Sequence, residues 1–102
     1  MILITIVEPT RIVAEVRGAK NDTDLLKIGF IKEGEQYTIS CPNEVQQINI
    51  LSQLAHINVL FSYGLGWAPS EVLLDLKEQG KITFPFQVIT WKSPGIYELL
   101  NF

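Results

Sequence analysis

The sequence predicts an α+β fold, a single domain over residues 1–102. It consists of an antiparallel sheet of about five strands, with two helices at about 42–61 and 69–79 covering one face. Three observations lead there. Strand-like runs fill the first forty residues, two proline-led helical segments follow, and alternation of period two returns after Gly80.

The opening Met1-Ile2-Leu3-Ile4-Thr5-Ile6-Val7 is rich in β-branched residues and reads as a strand buried on both faces, hence a central one. It lacks the basic flank and small-residue cleavage site of a secretory signal, so the sequon at Asn21-Asp22-Thr23 is expected to be idle. Glu8-Pro9-Thr10 supplies a turn, because proline fixes φ and cannot continue a ladder. Ile12, Ala14 and Val16 then alternate against Arg11, Glu15 and Arg17. Residues 18–24 are polar and read as a loop. Residues 25–31 and 36–40 read as a hairpin around Lys32-Glu33-Gly34-Glu35, with Leu26, Ile28, Phe30, Tyr37 and Ile39 inward.

The two helices start alike, at Pro42-Asn43-Glu44 and Pro69-Ser70-Glu71. Proline suits a first helical position, and an early Glu offsets the helix dipole. Gly80 is placed to end the second. Ile82, Phe84, Phe86 and Val88 share one face of a final long strand. Pro85 marks that strand as an edge, and a bulge is expected near Val88 and Ile89. The type of residues 96–102 is left open. The expected core is Ile4, Ile6, Ile12, Val16, Ile28, Phe30, Ile39, Ile48, Leu51, Leu54, Leu73, Leu76, Phe84 and Phe86.

Composition excludes more functions than it suggests. The 102 residues carry 8 Lys+Arg against 11 Asp+Glu, a net charge of -3, which is the wrong sign for a nucleic-acid surface. From Val45 to Ser70 there is no Asp, Glu, Lys or Arg, yet Gln46, Gln47, Asn49, Ser52, Gln53, His56 and Asn58 make a membrane span a poor reading. With 1 Cys, no internal disulfide forms, and a cytoplasmic, reducing location is expected.

No metal-ligand spacing, nucleophile elbow or phosphate loop is present, so no catalytic, cofactor-binding or metal residues are assigned and no cofactor is expected. Cys41 beside a helix start is a candidate thiolate, but His56 lies 15 positions on, roughly 22 Å along a helix, too far to activate it. Gly64-Leu65-Gly66 lacks the third glycine and the lysine of a phosphate cradle.

Surface features remain. Glu71, Asp75 and Glu78, at i, i+4 and i+7, form an acidic stripe whose mutual repulsion, about 0.2–0.5 kcal/mol per pair, works against the helix. Tyr63 and Trp67, on the glycine-rich connection beside it, are residue types that anchor interfaces, although Trp67 also fits a core position. Gln46, Asn49, Gln53 and His56 give the first helix an uncharged amide face, which suits either half-burial or contact.

The leading expectation is a non-catalytic protein-interaction module, of inhibitor, immunity-like or adaptor type. It would bind a basic partner protein through Glu71, Asp75, Glu78, Tyr63 and Trp67. The alternative is a small-ligand-binding or enzymatic homo-oligomer with a cavity lined by His56, Phe61, Tyr63 and Trp91. Neither nucleic acid nor membrane is an expected partner.

Overall fold

The apolar opening run becomes β1 (Ile2–Glu8) in a computed structural model, which describes residues 1–18, 22–63 and 69–102. After the Pro9-Thr10 turn comes β2 (Arg11–Val16), antiparallel to it. Then follow α1 (Thr23–Ile28), β3 (Ile31–Glu33), β4 (Gln36–Ser40), α2 (Glu44–His56), β5 (Leu60–Ser62), α3 (Pro69–Glu78), β6 (Gln87–Ser93) and β7 (Ile96–Asn101). The strands form one seven-stranded sheet in the order β3-β4-β2-β1-β5-β6-β7. β1 is central, as its composition implies.

The fold class is α+β, but the sheet is mixed rather than antiparallel, with seven strands instead of about five and three described helices instead of two. β5 runs parallel to both β1 and β6. The reason is connectivity. A tight turn can only reverse a chain, whereas a helix crossing one face returns the next strand in the same direction. α3 provides that crossover between β5 and β6.

Three further expectations need correction. Residues 25–31 are not a strand. Asp22, Gly29 and the pair Leu25 and Ile28 define a single helical spell, α1, with Gly29 at φ 121° closing it and Leu26 turned outward at 49% exposure. The first long helix stops at His56 instead of residue 61, because Asn58 takes φ 61° and Leu60 enters the sheet. Its cap is Asn43, whose side chain accepts from the Gln46 N–H at 2.9 Å, so Pro42 lies outside the helix. The last long strand begins at Gln87 rather than Ile82, and its irregularity falls between Trp91 and Ser93 rather than at Val88. Even so, Ile82, Phe84, Phe86 and Val88 do all pack on the core.

All three helices pack on one face of the sheet. Ile4, Ile12, Phe61 and Val88 from the strands meet Leu25, Leu51, Leu54 and Leu73 from the helices. Phe61 is fully buried and meets Phe86 edge-on, with ring centres 6.1 Å apart. Of the expected core, Ile4, Ile12, Phe30, Leu51, Leu54, Leu73, Leu76 and Phe86 are buried. Ile6, Val16, Ile28, Ile39, Ile48 and Phe84 are half-buried.

The opposite face has its own small cluster, Leu3, Leu60 and Ile89 with Met1 against it. Arg17 extends over this side, pairing with Glu15 at 3.5 Å and reaching the Trp91 ring at 5.6 Å. That second cluster accounts for Ile89, and Trp91 packs against Arg17 and the Tyr97 ring instead.

Candidate functional site

The acidic stripe is built by α3. Pro69, Ser70, Leu73 and Leu76 turn inward, so the 3.6-residue period carries Glu71, Asp75 and Glu78 to the exposed side together. The helix ends in a Schellman motif. Lys81 N–H donates to the Leu76 carbonyl and Gly80 N–H to that of Lys77, with Gly80 at φ 74°. That lock fixes the register of the stripe.

Four acids elsewhere are matched to cations, whereas Asp22 and Glu33 accept from the Tyr37 and Thr38 hydroxyls. Glu8 pairs with Arg11 at 3.0 Å, Glu15 with Arg17 at 3.5 Å, Glu44 with Lys81 at 2.7 Å and Glu98 with Lys92 at 3.4 Å. None of Glu71, Asp75 and Glu78 has an ion-pair partner among the described residues. Lys77, on the same helix, lies over the Phe102 ring at 5.8 Å instead.

Tyr63 is 60% exposed just past β5, held there by its N–H donating to the Ile89 carbonyl. Trp67 and the Gly64-Leu65-Gly66 stretch lie outside the described residues, as does Asn21. The structure therefore gathers the three acids on one helix face and leaves Tyr63 exposed.

The amide face of α2 divides. Gln46, Asn49, Gln53 and His56 are all exposed, whereas Gln47 is buried and donates from Nε2 to the Glu8 carbonyl at 2.7 Å. Ser52, Gln53 and His56 join Asp24, Lys27, Ile28 and Ile57 around an open cleft of about 350 Å³ between α1 and α2. Sequence reasoning missed this cleft because it missed α1. Within one copy, Phe61 and Trp91 do not line a common cavity. Phe61 faces the helices, while Trp91 shares the other side of the sheet with Ile89.

Cys41 is buried, and that burial pushes its thiol pKa up, away from thiolate chemistry at neutral pH. It precedes α2, and His56 ends that helix, so the two stand at opposite ends. Ser70 is fully buried in the first turn of α3, and its hydroxyl has no hydrogen-bond partner among the described residues. Tyr37 donates to Asp22 Oδ2 at 2.5 Å, which raises the phenol pKa and ties β4 to the start of α1.

Among the described residues no group of three or more His, Cys, Asp and Glu could hold a metal ion, and no helix is long and apolar enough to cross a membrane. Compared with protein-family profiles, curated protein sequences and solved structures, the chain matches none of them.

Proposed function

We propose that the protein is a non-catalytic interaction module whose acidic α3 face engages a basic surface of another protein, in an inhibitory or adaptor role. One observation carries this reading. Glu71, Asp75 and Glu78 stand exposed on one helix face without ionic partners among the described residues, while four other acids are each paired to Arg or Lys. Adjacent like charges cost helix stability, and although Glu71 in the first turn offsets the helix dipole, Asp75 and Glu78 gain nothing of that kind, so a use outside the chain is the better account of those two. The field of three carboxylates speeds encounter with a cationic surface and makes the complex salt-sensitive. Exposed Tyr63 supplies an aromatic contact of the kind that anchors interfaces. A free, buried Cys41 suits a reducing, cytoplasmic setting.

The test uses immobilised protein and native lysate at low ionic strength. The wild type recovers a basic partner, and a bait carrying Glu71→Lys and Asp75→Lys loses it. Equal recovery by both baits would remove the acidic face from the account.

A second reading rests on the α1–α2 cleft. Its side chains, Asp24, Lys27, Ser52, Gln53 and His56, offer both charges and several hydrogen-bonding groups to a small polar ligand. A rise in melting temperature with one member of a metabolite panel, abolished by His56→Ala, supports it; no rise with any member counts against it.

A further inference from the structure

The two edges of the sheet are unlike. β3 has three residues, all exposed, and carries Lys32 and Glu33, so it is short and charged in the way that discourages pairing. β7 has six residues, and its exposed side chains include Ile96, Tyr97 and Leu99. It contains no Pro or Lys, and its one charge, Glu98, is already paired to Lys92 within the hairpin. No described strand covers its outer edge.

The ladder shows which backbone groups that edge offers. Phe86 and Phe102 exchange both N–H···O=C bonds, at 3.1 and 3.0 Å. Hydrogen-bonded and non-bonded pairs alternate along an antiparallel ladder. With Val88 opposite Leu100 and Thr90 opposite Glu98, those residues bond inward to β6. Tyr97, Leu99 and Asn101 therefore direct their N–H and C=O groups outward.

We propose that β7 pairs antiparallel with β7 of a second copy of this chain, with the two-fold axis passing through Leu99. In that register Leu99 bonds Leu99 of the partner subunit, and Tyr97 and Asn101 bond each other's counterparts, about six backbone hydrogen bonds in all. Glu98 then lies opposite Leu100 of the partner subunit. Shifting the axis to Glu98 would set two carboxylates face to face, and shifting it to Leu100 would leave only Leu99 and Asn101 of the outward-facing residues of Ile96–Asn101 opposite one another. The sequence of this strand thus singles out one self-complementary register. On the sheet face away from the helices, Trp91 and Tyr97, already in edge contact at 5.3 Å, and Leu99 become a continuous apolar strip across the axis.

A six-residue strand is about 20 Å long, so the interface is small, and the dimer dissociates in the micromolar range. The pairing is isologous, so association stops at two copies.

Sedimentation velocity across about 1–200 μM protein tests this, a range set by the expected affinity. The wild type shifts from monomer to dimer and no further. Leu99→Pro deletes the outward N–H of Leu99 and spares the β6 ladder. Leu99→Lys sets two ammonium groups across the axis. Each weakens the dimer about ten- to a hundred-fold while the circular dichroism spectrum stays native. Should Leu99→Pro fail to fold, Leu99→Lys alone decides. A wild type that is monomeric at 200 μM, a dimer indifferent to both substitutions, or growth beyond two copies would overturn the proposal.

Discussion

Replacing Asp75 by Lys separates a stripe that serves the fold from one that serves a partner. Asp75 is the middle acid, at i+4 from Glu71 and i−3 from Glu78, so it takes part in both repulsions. Each like-charge pair costs about 0.2–0.5 kcal/mol, and reversing the sign converts each into an attraction of similar size. Two pairs together give a swing of about 0.8–2 kcal/mol. Lys also has the better helix propensity, and position 75 lies in the last turn, where a cation suits the dipole. All three acids are exposed, so the gain is largest at low salt and shrinks as salt screens it.

For a chain of this size 1 kcal/mol moves the melting temperature by about 4–8 °C, which calorimetry resolves easily. Asp75→Asn, which removes the repulsions without adding attractions, falls about midway. The expected result is a more stable protein that binds its partner less well. A fall in melting temperature at low salt, or a gain indifferent to salt, would show that Asp75 has a stabilising role inside the fold. The argument for a partner would then fail.

Other positions give sharp expectations. Phe61→Ala empties the centre of the main core and costs about 3–5 kcal/mol, read as a lower urea midpoint with unchanged slope. Ser70→Ala removes a buried hydroxyl with no partner among the described residues and stabilises the protein by up to about 1–3 kcal/mol; destabilisation would mean that the hydroxyl is bonded elsewhere in the chain. The Tyr37 phenol is raised from 10.0, chiefly by its hydrogen bond to Asp22, then by burial and by the Asp22 charge. Its folded pKa exceeds the unfolded one, so its contribution is whole below pH 10 and is lost as pH rises through the folded value. Tyr37→Phe removes that alkaline loss, seen by comparing urea midpoints of the two proteins from neutral pH to above 10.

What the sequence disclosed follows the length of its signals. β1 and β2 were legible because a seven-residue β-branched run and a Pro9 turn are strong local statements. The α3 boundaries were legible from Pro69 and Gly80, and with them the placement of Glu71, Asp75 and Glu78. α1 spans under two helical turns and β5 three residues, too short for periodicity to speak. Missing β5 also hid the parallel pairing, since direction depends on a crossover and not on any residue in the strand. Residues 25–30 misled because Leu26, Ile28 and Phe30 alternate like a strand, although Gly29 supplied a helix stop. Ile89 on the final long strand was hard to place because only one face of that strand was expected to be covered, whereas Leu3, Leu60 and Ile89 form a second cluster on the other face.

The central claim is that the α3 acids meet a basic partner. The most direct measurement is the affinity of the captured partner for wild type and for Asp75→Lys, titrated from low salt to about 0.3 M, where the screening length drops to a few ångströms. The account predicts wild-type affinity that falls steeply with salt and a shallower, weaker curve for Asp75→Lys, the two converging at high salt. Curves that coincide at every salt concentration would contradict it.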